Sequence, residues 1–83
     1  MEEQELYIVH MLKYGDRQKH SYIAGIFDSF EKAHEAGEEE SIERCGKYEY
    51  EINILVLNLS YHQHKQIKIW NSIKKEYYSY DPL

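Results

Sequence analysis

Cysteine, proline and glycine are all scarce in this chain of 83 residues, which has one Cys, one Pro and four Gly. A single thiol, Cys45, excludes an intramolecular disulfide and suits a reducing compartment. No stretch approaches the roughly eighteen consecutive apolar residues that a membrane-spanning segment needs. The opening MEEQEL is acidic, whereas a secretory signal requires a basic start and an apolar run. Gly15, Gly25, Gly37 and Gly46 stand apart, so there is no Gly-rich phosphate loop. These absences lead to the expectation of one soluble cytoplasmic domain with no membrane partner.

Bases are also in the minority, and the formal net charge is −5. The imbalance is concentrated between Asp28 and Glu51, where nine acids meet three bases for a local charge of −6. From Ile52 onward the charge is +2. An acidic middle repels phosphate backbones, so nucleic acid is not the expected partner.

Catalytic and metal-binding patterns are thin. Cys45, a histidine and Asp28 make a nucleophilic set only on paper, and a helix C-terminus disfavours a thiolate. His62 and His64 would share one side of a strand, yet no cysteine pair or His-Glu-x-x-His accompanies them. Two solvent-exposed loop histidines are the expectation. Consecutive carboxylates at Glu38, Glu39 and Glu40 point apart on a helix and read as a solvated face. The chain is therefore expected to be no enzyme, with no cofactor and no bound metal.

What is present is hydrophobic periodicity. Leu6 to Tyr14 alternates with both faces fairly apolar, as a central strand does. His20 to Phe27 reads as a second strand, with Tyr22 and Ile26 on one side, Ile23 and Phe27 on the other, and Gly25 hinting at a bulge or close backbone packing. The polar loop at 15–19 joins the two as a hairpin. Asp28-Ser29-Phe30-Glu31 has the residue types of a capping box, with Asp28 at the N-cap and Ser29 a rival. In the helix that follows, Phe30, Ala33, Ala36 or Gly37, and Ser41 mark the buried stripe, and Glu31, Glu35, Glu38, Glu39 and Glu43 face water. Gly37 is expected to bend or fray this helix, and Gly46 to occupy its C′ position.

Tyr48 to Leu59 is the third strand. One face carries Tyr48, Tyr50, Ile52, Ile54 and Val56; the other runs from Glu49, Glu51 and Asn53 to Leu55 and Leu57. The apolar far end of that second face calls for a cover, supplied by the C-terminal segment or a second copy. The C-terminal segment itself is ambiguous. Ser60-Tyr61-His62-Gln63 resembles another capping box, and Ile69, Trp70, Ile73 and Tyr77 make a helical stripe. Alternatively, Gln66 to Trp70 is a strand that turns at Asn71-Ser72 into Ile73 to Tyr80. The expected fold is α+β: a three-stranded antiparallel sheet in the order strand-strand-helix-strand, one helix packed on it, and a C-terminal helix or hairpin, with the helix preferred.

Gly25-Ile26-Phe27-Asp28-Ser29-Phe30-Glu31-Lys32-Ala33 resembles the G-x-F-x-S-x-E-x-A strand-to-helix junction of short phage and prophage proteins. Those proteins pair an initial strand bearing a run like Tyr7-Ile8-Val9 with a closing strand like Glu51 to Asn58. The resemblance covers about residues 6–58 and implies a ββαβ arrangement and a phage setting; it carries no active site. Some such proteins act as small inhibitors of host machinery, an association rather than a derivation.

Two functional expectations follow. The first is a non-enzymatic interaction protein, a phage-encoded inhibitor of a bacterial defence or host enzyme. Its acidic residues Glu38, Glu39, Glu40 and Glu43 would meet a basic protein surface. Tyr48, Tyr50, Trp70, Tyr77, Tyr78 and Tyr80 would supply apolar contact. The second is a nucleotide-type small-molecule binder working as a homo-oligomer, with Lys68, Lys74 and Lys75 on phosphate and Trp70 stacking. Association with a second copy, as a homodimer, would also add to the thin core that a chain of this length can build.

Overall fold

The computed structural model describes residues 4–15 and 20–81. Alternation in the first apolar run produces strand β1 (Glu5–Lys13), and the second gives β2 (Tyr22–Phe27). Helix α1 (Phe30–Glu43) follows, then β3 (Tyr48–Val56). A 3-10 turn at Tyr61–Gln63 leads to β4 (Ile67–Asn71) and β5 (Glu76–Tyr80). The fold is α+β, with one helix on a five-stranded antiparallel sheet in the order β2-β1-β3-β4-β5. The expected ββαβ order is present, and the sheet is larger than three strands. The C-terminal segment forms the hairpin, not the preferred helix. Its apolar residues fit both periods, and β3 offers a free edge on which β4 gains backbone hydrogen bonds and β5 then pairs. It extends the sheet sideways, and the connection before β4 brings the buried His64 onto Val56 at the far end of β3, where Leu55 is half-buried and Leu57 stays 45% exposed.

The helix lies on the sheet face that carries Val9, Met11, Tyr50 and Ile52, where Val9 pairs with Ile52 and Met11 with Tyr50. These four and Ala33 form the core. Tyr22 and Phe27 both pack on this face, because the register slips after Val9–Gly25 and leaves Ala24 as an extra residue. The bulge moves Tyr22 out of phase with Ile26, so Ile23 and Ile26 point to the opposite face. There they stand 53% and 60% exposed.

Ser29, not Asp28, caps the helix, its Oγ accepting from Lys32 N–H at 3.3 Å. Asp28 instead pairs with Lys32 at 2.9 Å. At the other end Gly46 N–H bonds Ser41 C=O and Cys45 N–H bonds Ile42 C=O, a Schellman motif. This places Cys45 at C′ with φ 56° and Gly46 one residue later, a shift of one from expectation. Cys45 is exposed there, so it does not pack. The helix runs through Gly37, which is buried.

Candidate binding surfaces

The outer side of α1 is the first candidate. Glu31, Glu35, Glu39 and Glu43 follow one another at intervals of four and are all exposed. At 1.5 Å per residue, they form a row about 18 Å long. The nearby cations are engaged elsewhere: Lys32 with Asp28, and Arg44 with Tyr22 Oη at 3.0 Å and Glu40 at 3.4 Å. Glu38 and Glu40, expected at an interface, tie the helix to the sheet. Tyr50 Oη donates to Glu38 Oε2 at 2.7 Å, and Tyr22 Oη donates to Glu40 Oε1. Burial and then the Glu38 carboxylate push the Tyr50 hydroxyl well above its ordinary pKa; burial and then Glu40 raise that of Tyr22, with Arg44 opposing.

Aromatic residues make the second candidate. Phe30 and His34, one turn apart on α1, stack with centroids 5.8 Å apart. Trp70 meets both edge-on, at 5.4 Å from Phe30 and 5.3 Å from His34. Tyr50 closes the group at 5.9 Å from Trp70. Tyr50 is 1% exposed and so belongs to the core, not to an interface; the reason is that the helix sits directly over it. Tyr48 is half-buried against Tyr22, and Trp70 is half-buried. Tyr77 and Tyr78 are 52% and 44% exposed but point to opposite faces of β5, and the Tyr78 hydroxyl is engaged by Glu51. The side chain of Tyr80 lies outside the described residues.

Where Tyr77 meets the helix start, a cleft of about 380 Å3 opens, floored by Ile54 and walled by Tyr7, Phe30 and Tyr77, with Glu5 and Lys68 at its rim. Of the expected ligand-binding set, only Lys68 reaches it directly. Trp70 stands behind Phe30, and Lys74 lines a second cleft with Glu49, Glu51 and Tyr78. Lys75 sits in the β4–β5 turn with φ 54°. The lysines diverge because β4 and the turn place them on different faces. Sequence reasoning passed over Glu5, Tyr7 and His34. Period-two spacing from Val9 puts Glu5 and Tyr7 on the helix face, and His34 stands four residues from Phe30, so both signals were there to read.

The two histidines separate. His62 is exposed, whereas His64 is buried, against the expectation that both would face solvent. His64 Nε2 accepts Val56 N–H at 2.9 Å, so Nδ1 carries the proton and donates to Ser60 C=O at 2.8 Å. That ring pins the β3–β4 connection. Among the described residues no three His, Cys, Asp or Glu side chains group as metal ligands. No helix among them is long and apolar enough to cross a membrane. No protein-family model, curated protein or solved structure matches this chain.

Proposed function

We propose that this chain is a small non-enzymatic protein that docks its row of helix glutamates on a basic surface of another protein and so blocks that surface. The observation that carries the reading is the exposed Glu31-Glu35-Glu39-Glu43 row, whose flanking cations are engaged by other partners, Lys32 by Asp28 and Arg44 by Tyr22 and Glu40. Each like-charge pair at this spacing costs a helix about 0.2–0.5 kcal/mol. Glu43 adds a further cost, because it stands in the last turn, where the helix dipole favours a cation and none is present. Glu31 is favoured by the dipole in the first turn, but Glu35, Glu39 and Glu43 are kept at some expense of helix stability, which supports a use for them outside the fold.

Complementary charge would steer association and fix the orientation of docking. A surface that otherwise holds nucleic acid is the natural target, since it presents the basic side chains that the row requires. Inhibition of a host or defence enzyme by occupation of such a surface needs no catalytic group.

The test is capture from host lysate by the wild-type chain and by a Glu35→Lys, Glu39→Lys variant, each at low and high salt. The expected result is one protein retained by wild type, released as salt rises, and missing from the variant. Retention that ignores both salt and charge reversal would remove the helix row from the account.

A further inference from the structure

The cleft at the start of α1 draws on β1, α1, β3, β4 and β5 together. Tyr7, Ile54 and Lys68 lie on one rung of the sheet, since Tyr7 pairs with Ile54 and Ile54 with Lys68. Glu5 stands two residues from Tyr7 on the same face. With strands about 4.8 Å apart and about 3.4 Å per residue, Glu5 and Lys68 are about 12 Å apart at their Cα atoms. Their side chains thus face each other across the aromatic walls without meeting. Among the described residues Lys68 makes no ion pair, and neither Tyr7 nor Tyr77 makes a hydrogen bond. Apolar walls with a few unspent polar groups are what a small-ligand site requires.

We propose that this cleft binds a small aromatic zwitterion of the amino-acid type. Its ring lies among Tyr7, Phe30 and Tyr77 over Ile54, its carboxylate on Lys68 and its ammonium on Glu5. The charge pattern selects the class. An aromatic anion would gain Lys68 but face Glu5, and an aromatic cation would meet the reverse conflict. The cleft is near the lower end of ligand-site volumes, about 300–1,000 Å3, so a dinucleotide is too large for it. The Tyr7 hydroxyl is protonated at neutral pH like any phenol, and burial first, then Glu5, raises its pKa further.

The experiment is an NMR titration of isotope-labelled protein with three probes. These are L-phenylalanine, phenethylamine, which lacks the carboxylate, and phenylpropionate, which lacks the ammonium. Phenylalanine is expected to move the amide signals of Tyr7, Ile54, Lys68 and Tyr77. It should bind about two- to fivefold tighter than either analogue, as one exposed charge contact allows. Glu5 and Lys68 are exposed, so their variants should keep the wild-type spectrum elsewhere. Lys68→Met should erase the advantage of phenylalanine over phenethylamine, and Glu5→Gln its advantage over phenylpropionate. Equal affinity for all three probes, or signals that move only outside the cleft, would overturn the assignment.

Discussion

The ring of Tyr50 fills the space that a side chain at residue 37 would need: a Cβ built on Gly37 stands 2.6 Å from Cδ2 and Cε2 of Tyr50. The glycine is a contact requirement of the helix–sheet interface. It lets α1 settle low enough for the Tyr50 hydroxyl to reach Glu38, one residue further along the helix.

Gly37→Ala is therefore expected to destabilise the fold although alanine is the better helix former. Overpacking costs about 1–3 kcal/mol, against about 1 kcal/mol of helix propensity regained. A net loss of up to about 2 kcal/mol lowers the melting temperature by up to roughly 15 °C in a domain of this size. In a Tyr50→Leu background the same substitution should become neutral or stabilising, because the ring is gone. Thermal melts of the four proteins give the coupling, and an equal penalty in both backgrounds would show that the ring is not the cause.

Tyr50 also makes stability sensitive to alkali. Its pKa is raised in the fold from the ordinary 10.0, so the native state holds a proton that the unfolded chain releases. The associated stability is fully present below pH 10 and is lost as pH rises above it, which is the sign that linkage requires for a raised folded value. Tyr50→Phe is expected to be less stable at neutral pH by about 1 kcal/mol, for one lost hydrogen bond. Its stability should also fall less steeply above pH 10. Denaturant melts across that range compare the slopes, and parallel curves would place the alkaline loss on other tyrosines.

Asn71 organises the last turn. Its Oδ1 accepts from Ile73 and Lys74 N–H, both at 3.0 Å, while Nδ2 donates to Glu51 at 3.0 Å. Tyr78 Oη reaches the same Glu51 oxygen at 2.7 Å, and Glu49 is buried alongside. Asn71→Asp keeps the acceptor and the shape but turns the donor into a third negative group beside two carboxylates. A loss of about 2–3 kcal/mol is expected at neutral pH, measured by denaturant melts, with Asn71→Ser losing less. If aspartate and serine cost the same, electrostatic repulsion is not the reason.

Much of this architecture was legible residue by residue. Alternation from Leu6 and the Asp28-Ser29-Phe30-Glu31 cap pattern, right to within one residue, are local signals, and each acts through its own backbone dihedrals; the loop expected at 15–19 lies, after Gly15, outside the described residues. They led to the two-stranded start, the helix and β3 with boundaries close to those observed. The acidic side of the helix was visible for the same reason, since a spacing of four determines which glutamates share a face.

What lay beyond the linear chain was every choice that depends on a distant partner. Residues 60–80 carry apolar positions compatible with helix or hairpin, and the open edge of β3, supplied by a segment earlier in the chain, selected the strands. The fate of Tyr50 and Glu38 was decided by how closely α1 approaches the sheet, which Gly37 controls from 13 positions away. The cleft needed five elements to meet at one corner. Local preference sets the conformation of a segment, but burial and pairing belong to surfaces that exist only after the segments have packed.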